Sequence, residues 1–178
     1  MYKFVSMNKE YANEMIENWK YEAKYNIYDY VNEKEDLLDQ SAWGHGKFAV
    51  LNQKNELVGE LTIAFFEKED EASEDDGFIE YDEVMKNSNN DYELWIGWGL
   101  KPELCGKGNG KEFVEECIKF AVNKYSYLGE YIRCGVAEFN KRAIKVYKRL
   151  DFKIFNKCTA EILGKEYKIV QMRKKIND

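Results

Sequence analysis

The sequence predicts an α/β or α+β domain with a mixed central sheet of about six to seven strands and about four flanking helices. The first reason is length, because 178 residues correspond to about one domain, 1–178, with enough chain to bury a core. The second is composition, since 44% of the residues are hydrophobic and 15% are aromatic. The third is periodicity: segments with strand spacing alternate with segments of helical spacing, and the later ones form β-α-β units.

The first half of the chain begins with a strand and an amphipathic helix. Asn8 predicts the N-cap of this helix, because a polar side chain there precedes apolar residues at helical spacing. The predicted elements are, in order, a strand at 2–6, a helix at 8–25, a helix at 32–40, and two strands within 47–66 around a turn at 53–56. An acidic segment, 67–83, has no clear periodicity, and we expect a solvated loop there.

The second half alternates strands with helices. Gly97 and Gly99 interrupt the strand YELWIGWGL, which indicates a bulge or a close approach of other atoms to its backbone. The predicted elements are a strand at 92–100, a helix at 111–124, a strand at 131–137, a helix at 140–150, and closing strands at 152–157 and 166–175.

Composition also excludes several classes of protein. No apolar run approaches the roughly 20 residues that cross a membrane. The start, MYKFVSMNKEY, lacks the basic and apolar regions of a signal peptide. We therefore expect a cytoplasmic protein without membrane contact. The net charge of −6 argues against nucleic acid as a partner and favours cationic partners.

Cysteine and histidine are too sparse for a familiar metal centre. The only histidine is His45, and the four cysteines form no CxxC pair. The cysteines are Cys105, Cys117, Cys134 and Cys158. A zinc site or a catalytic triad built around several histidines is therefore not expected, and we expect no metal. Free thiols are the simpler interpretation of the cysteines in a reducing compartment.

The stretch LKPELCGKGNGKEFVEECIKF, residues 100–120, contains glycine at positions 106, 108 and 110 just before a predicted helix. Neither a Walker A loop nor a Rossmann fingerprint fits this spacing. Small residues before a helix leave several backbone N–H groups without partners, and the helix dipole adds partial positive charge. Lys107 and Lys111 add to that charge, so the segment suits a pyrophosphate. A flexible surface turn is the alternative.

Two motifs together resemble the GNAT superfamily of acyl-CoA-dependent N-acetyltransferases. Leu100-Lys101-Pro102 followed by residues 105–110 resembles the family's glycine loop after its strand. AEFNKRAIKVYKRLDF resembles the family's Asn-x-x-Ala-x-x-x-Tyr helix, and maps onto Asn140, Ala143 and Tyr147. The resemblance implies a single GNAT-like domain. There are two departures: Cys105 stands where the family has Arg or Gln, and Asp151 replaces a glycine before Phe152.

The resemblance implies acetyl-CoA as cosubstrate. The pyrophosphate is assigned to the loop, the pantetheine to the strand 98–100, and Asn140 reaches the cofactor from the other side. The cofactor-binding residues implied are Trp98, Gly99, Leu100, Cys105, Gly106, Lys107, Gly108, Asn109, Gly110, Lys111, Asn140 and Ala143. A backbone N–H near Trp98 or Gly99 would stabilise the tetrahedral oxyanion.

Two catalytic residues follow from the same resemblance. Tyr147 takes the position of the family's general acid for the departing thiolate, although its helical spacing also suits a core aromatic residue. Glu93 is the family-like candidate for the base. It lies one residue away from the family's commonest carboxylate position, so a solvated surface glutamate is the alternative.

The acceptor amine is expected to be cationic and to be held by an aromatic segment with Trp19, Tyr28 and Tyr30. The alternative is that these rings belong to the core. The expected activity is transfer of an acetyl group to a primary amine of a small molecule or of a protein or peptide. A non-catalytic acyl-CoA-binding or sensing module on the same fold is the alternative. The sequence does not distinguish polyamines, aminoglycosides, ribosomal-protein termini or amino-acid-like amines, and a homodimer is compatible with it.

Overall fold

The computed structural model describes residues 1–67, 79–86 and 92–176. In these residues seven strands form one sheet. They are β1 (Lys3–Ser6), β2 (Lys47–Leu51), β3 (Leu57–Glu67), β4 (Tyr92–Leu100), β5 (Tyr131–Ala137), β6 (Lys153–Ile162) and β7 (Lys165–Lys175). Their order is β1-β2-β3-β4-β5-β7-β6, and every neighbouring pair is antiparallel except β4 and β5, which are parallel. The mixed sheet predicted from the sequence is therefore confirmed.

Within the described ranges, five α-helices accompany the sheet, one more than predicted. They are α1 (Lys9–Asn18), α2 (Lys34–Leu38), α3 (Tyr81–Lys86), α4 (Gly110–Lys124) and α5 (Lys141–Arg149). Across the described ranges, none of the helices is long and apolar enough to cross a membrane. Helix α3 starts within the acidic segment that was predicted to be a loop. The part of that segment at 68–78 lies outside the described residues.

Helix α1 starts as predicted and ends earlier than predicted. The Asn8 side chain accepts a hydrogen bond from the Tyr11 amide at 2.8 Å, which is a standard N-cap. The helix ends at Asn18 because the Tyr21 amide bonds to the Asp29 carboxylate at 2.8 Å instead of to a helical carbonyl. The chain then forms 3-10 helices at Ala23–Tyr28 and Tyr30–Glu33 before α2.

The sheet is covered on both faces. On one face, the buried side chains of β3, β4 and β5 pack against α4 and α5; this cluster includes Leu61, Leu94, Ile132, Phe113 and Tyr147. On the other face, α1 and the segment that follows it pack against β2; this cluster includes Met15, Trp19, Tyr30 and Ala49. The second layer covers β1 to β3 and leaves the middle of the sheet more open, where Gly97 and Gly135 are exposed.

The last two strands were predicted, but their place in the sheet was not. They are longer than expected and form a hairpin in which β7, not β6, pairs with β5. The strand that follows α5 therefore lies at the sheet edge. Strand β7 is anchored by Val170 and Met172, which are buried, whereas most of β6 is exposed. The more apolar strand takes the interior position because it can bury more surface there.

Candidate functional site

Strands β4 and β5 separate from each other partway along their length. They are in register only at Leu94 with Ile132 and at Trp95 with Arg133. Beyond these pairs β4 continues to Leu100 and β5 to Ala137, and among the described residues no strand lies between them. This opens a cleft in the sheet. Backbone groups that face a cleft of this kind can bind an extended ligand in the way that a strand binds its neighbour.

The glycine loop lies where β4 ends. Gly106 and Gly108 adopt left-handed backbone conformations, with φ of 73° and 87°, which glycine adopts without steric cost. Gly110 begins α4, and a Cβ atom placed there would lie 3.3 Å from the Val146 side chain of α5. Two of the three glycines are therefore required by the turn, and the third allows two helices to approach each other closely.

The N-terminus of α4 has no side-chain cap, so the amides of its first turn are not satisfied by Asn109. The Asn109 side chain instead donates to the Leu104 carbonyl at 3.1 Å, which fixes the loop. Lys107 and Lys111 are exposed beside it. Dipole and lysines together make this a site of positive potential.

Arg142 adds a cation that the sequence did not indicate. Its Nη1 atom would lie 3.5 Å from a Cβ atom on Gly106. The guanidinium also lies over the Tyr25 ring, 4.3 Å from its centre, and 3.5 Å from the Glu22 carboxylate. Finding this residue required knowing that α5 packs beside α4. Its only sequence signal was a basic residue two positions after Asn140.

The structure accounts for cysteine at position 105. Its thiol lies 3.5 Å from the Leu100 carbonyl and 3.6 Å from the Lys101 carbonyl, as a weak donor to both. Burial raises the pKa of this thiol, so it remains protonated. The Cys105 side chain therefore points back towards the end of β4 and pins the loop there, while the loop amides stay available.

Tyr147 lies on α5 with its ring buried. Its hydroxyl accepts a hydrogen bond from the indole Nε1 of Trp98 at 2.8 Å, and the two rings meet edge to face. Burial raises the pKa of Tyr147, so the hydroxyl holds its proton at physiological pH. Trp98 lies in the part of β4 that has separated from β5. The Tyr147 hydroxyl and the Trp98 indole that bonds to it therefore lie beside the cleft.

Asn140 caps α5 and touches the aromatic segment. Its Oδ1 atom accepts from the Ala143 amide at 3.1 Å, and its side chain lies near the Tyr28 hydroxyl. That hydroxyl accepts from the Ala137 amide at the end of β5, at 3.2 Å. At the other side of the cleft, the Tyr21 hydroxyl donates to the Leu100 carbonyl at 2.9 Å. Two tyrosines of one segment thus bond to the ends of both separated strands.

Glu60 of β3 is a buried carboxylate next to the cleft. It lies opposite Gly99 in the sheet and is 5% exposed. The Tyr30 hydroxyl donates to its Oε2 at 3.3 Å, and the Thr62 hydroxyl donates to its Oε1. Burial raises the pKa of Glu60 to about 7, despite the opposing effect of Lys47 nearby. The sequence signal was a single acidic residue in an apolar strand, and it was overlooked.

Comparison with known proteins agrees with this geometry. A family model described as an acetyltransferase (GNAT) domain matches residues 4–153. The chain belongs to the GNAT acetyltransferase family. No curated protein matches the sequence at a significant level.

Solved structures show the same GNAT fold at low identity. An acetyltransferase of the GNAT family from Bacillus anthracis has 13% identity and a TM-score of 0.64, with coverage of 98% of this chain and 94% of that chain. Mutant forms of the spermidine/spermine N-acetyltransferase SpeG from Vibrio cholerae have 14% identity and a TM-score of 0.62, covering 98% and 95%. NAA60 of Arabidopsis thaliana, in complex with acetyl-CoA, has 18% identity and a TM-score of 0.61, covering 100% of both chains.

Two of the aromatic residues expected at the acceptor site are core residues of this GNAT domain. Trp19 is 1% exposed and packs edge to face against Tyr30, 5.7 Å between ring centres. Tyr30 is itself buried. A Cβ atom placed on Gly99 would lie only 1.8 Å from the Tyr30 hydroxyl, which is too close for both to be present. Gly99 therefore admits this tyrosine. The expectation that Trp19 and Tyr30 contact the substrate is therefore corrected, because both side chains are packed in the core. Tyr28, in contrast, is half-buried at the cleft.

Glu93 is not a solvated surface residue of the GNAT domain. Its carboxylate pairs with the Arg133 guanidinium on β5, and both side chains are mostly buried. Arg133 in turn lies against the Phe155 ring, 4.7 Å from its centre. The alternative of a solvated glutamate is therefore wrong. A carboxylate held by a guanidinium has fewer lone pairs available to accept another proton.

Among the described residues, no group of three or more His, Cys, Asp or Glu side chains is placed to hold a metal ion.

Proposed function

We propose that this GNAT domain is an N-acetyltransferase that moves the acetyl group of acetyl-CoA to a primary amine by direct attack on the thioester. The observation that carries the proposal is the cleft between β4 and β5, with the uncapped N-terminus of α4 at one end and the Tyr147 hydroxyl beside it. Acetyl-CoA supplies an activated acyl group, and the chain supplies its binding, orientation and proton transfers.

The loop suits the pyrophosphate for two reasons. The unsatisfied amides at the start of α4 favour an anion, and Gly106 and Gly108 leave room for it, since a Cβ atom on Gly108 would meet nothing within 4 Å. We propose that residues 105–111 hold the pyrophosphate, with Lys107, Lys111 and Arg142 adding positive charge. The backbone of Trp98, Gly99 and Leu100 would hold the pantetheine, and Asn140 and Ala143 would lie on its other side.

Proton transfer to the departing thiolate is assigned to Tyr147. Its oxygen accepts from Trp98, so its own proton is free to be donated towards the cleft. A free thiol has a pKa near 8.5 and a free phenol near 10, and burial raises the pKa of Tyr147 further. The transfer is therefore uphill, and we expect acid catalysis of about 10²- to 10⁴-fold.

A cationic acceptor is supported by the charges near the cleft. Glu33, Asp36 and Glu60 interact with one another and with Lys47 on the face that carries Gly97 and Gly99, which leaves an excess of carboxylates. SpeG is a spermidine/spermine N-acetyltransferase, and polyamines are therefore included among the acceptors to be tested. We propose a primary amine with a further positive charge, on a small molecule or a peptide.

The proposal is tested by release of free thiol from acetyl-CoA. Purified protein is incubated with acetyl-CoA alone and with a panel of spermidine, an aminoglycoside, a peptide with a free α-amine and a peptide with one free lysine. We expect thiol release that depends on the amine and acetylated product of the matching mass. Binding of acetyl-CoA without turnover on any amine would contradict the proposal and would indicate a non-catalytic acyl-CoA-binding module.

A further inference from the structure

Two charged side chains are buried in the part of the chain that the structure describes, Lys47 and Glu60. They lie on neighbouring strands, β2 and β3, on the face covered by α1 and α2. Burying a charged group costs desolvation free energy. A buried charge is therefore a reason to ask what it does. Glu60 adjoins the stretch of β4 that lines the cleft, since it lies opposite Gly99. Lys47 lies opposite Thr62 of β3, and Thr62 in turn lies opposite Gly97.

Thr62 connects the two buried charges. Its hydroxyl donates to Glu60 Oε1 and accepts from the Lys47 ammonium at 3.2 Å. The same ammonium pairs with the Asp36 carboxylate at 2.6 Å. A threonine hydroxyl has one proton and two lone pairs. Its proton and one lone pair are used, so one lone pair of Thr62 remains for another donor.

The space beside Thr62 is open. Gly97 is exposed, and a Cβ atom placed there would be 3.6 Å from the Thr62 Cβ, so any larger side chain at 97 would cover the threonine. A donor that approaches the middle of β4 from this face meets the Thr62 hydroxyl before it meets Glu60. Glu60 itself is shielded by Tyr30.

We propose that Thr62 and Glu60 form the proton acceptor for the amine substrate, with the Thr62 hydroxyl as the contact and Glu60 as the final base. This rests on the proposed function, and it assigns the base to β3 in place of Glu93 on β4. The Glu93 carboxylate is engaged in an ion pair with the Arg133 guanidinium. In the Glu60–Thr62 pair, one lone pair of the Thr62 oxygen is still available to accept a proton.

The reaction converts one ammonium and one thioester into an amide and a thiol and releases one proton to solvent. The substrate ammonium gives one N–H proton to the Thr62 oxygen as the Thr62 proton passes to Glu60 Oε1. The neutral amine then forms a C–N bond with the thioester carbonyl carbon, and the C–S bond breaks. The thiolate takes a proton from Tyr147, and the second proton of the attacking nitrogen passes to solvent, from which Tyr147 is reprotonated. Glu60 returns its proton to solvent at the end of the cycle.

The environment of Glu60 suits a base that works near neutral pH. Burial raises its pKa, and Lys47 and the hydrogen bonds from Thr62 and Tyr30 oppose that rise. The titratable groups that interact with it are Tyr21, Tyr30, Glu33, Lys47 and, across the sheet, Cys117. A general base is most effective when its pKa lies near the working pH.

The test compares pH profiles of kcat/KM for the best alkyl amine of the panel, whose pKa lies near 10.4. In the wild type we expect kcat/KM to rise with pH, to reach about half of its plateau near pH 7 and to level off roughly one pH unit higher, where Glu60 is ionised. In Glu60→Gln we expect a roughly 10²- to 10⁴-fold loss at pH 7 and a profile that keeps rising towards the pKa of the amine. Glu161→Gln on the exposed strand β6 is the matched control and should keep the wild-type profile.

Thr62 provides a second test that keeps the Glu60 carboxyl and the Lys47 ammonium in the sequence. Thr62→Val removes the hydroxyl at nearly constant shape and should give the same profile as Glu60→Gln, while Thr62→Ser should restore most of the activity. The double variant should be no slower than either single variant, because both act on one step. Wild-type turnover with unchanged profiles in Glu60→Gln or Thr62→Val would overturn this inference alone. No turnover of the wild type on any amine would overturn the proposed function as well.

Discussion

The hydroxyl of Tyr147 is held by a single donor, the Trp98 indole, at 2.8 Å. This hydrogen bond orients the phenol, and it leaves the hydroxyl proton available to be donated because the oxygen acts only as the acceptor. Removal of a hydroxyl of this kind costs about 1 kcal/mol of stability, because one neutral hydrogen bond is lost while the ring keeps its packing. Its catalytic effect is separable from its structural effect, since ring and hydroxyl can be varied independently.

Tyr147→Phe should therefore fold normally and bind acetyl-CoA with near-native affinity, with kcat lowered by about 10²- to 10⁴-fold. The measurements are calorimetric acetyl-CoA binding and steady-state turnover with the best amine. Tyr125→Phe is the control, because the Tyr125 hydroxyl donates to the His45 carbonyl at 2.6 Å, away from the cleft. It should lose stability without losing kcat. A native kcat in Tyr147→Phe would make Tyr147 a packing residue.

The loop and helix α4 form the element that we assign to the pyrophosphate. Gly108 has a left-handed backbone and open space around it. Gly164, in the turn between β6 and β7, has the same two properties, with φ of 71°. A substitution at either position strains the backbone by roughly 1–2 kcal/mol, but only the first places a side chain beside the α4 N-terminus.

Gly108→Val should bind acetyl-CoA at least tenfold more weakly, because its side chain enters the space assigned to the pyrophosphate. Gly164→Val should show a comparable fall in Tm with unchanged affinity. Calorimetric titration and thermal unfolding of both variants provide the measurement. Equal acetyl-CoA affinities in folded Gly108→Val and wild type would exclude the loop as the pyrophosphate site.

The stability of the folded protein should depend on pH through Glu60. Its pKa is about 7 in the folded protein, against an ordinary value of 4.5. The unfolded chain therefore releases this proton at lower pH than the folded protein does. The contribution of Glu60 is fully present below about pH 4.5 and is lost as the pH rises through about 7.

Glu60→Gln removes this dependence. Relative to the wild type, the variant should gain roughly 3 kcal/mol between pH 4.5 and pH 7.5, since a change of one in a pKa corresponds to about 1.4 kcal/mol. Denaturant unfolding of both proteins across that range measures the difference. Burial also raises the pKa of Glu33, and this contribution is shared by both proteins and largely cancels. A constant difference in stability would show that the pKa of Glu60 is not raised in the folded protein.

Local signals determined much of the architecture. The cap at Asn8, the glycine loop before α4 and the turn at 53–56 were all predicted correctly. In that turn the Asn52 side chain accepts from the amides of Lys54 and Glu56. These features depend on residues within a few positions of one another, so the sequence encodes them directly. Two motifs with family spacing were likewise sufficient to indicate the GNAT family, which the family model confirms.

The sequence by itself determined the fold class, the glycine loop and the Asn140–Tyr147 helix, because each rests on short-range periodicity and backbone requirements. Only the tertiary structure decided that β7 lies between β5 and β6, that Trp19 and Tyr30 are buried, and that Glu93 is paired. It also brought together Glu60 and Thr62 of β3 with Lys47 of β2 and Tyr30 from the segment after α1. Burial, ion pairing and pKa depend on neighbours that are far apart in the chain, and those neighbours are set only when the sheet and its two layers have assembled.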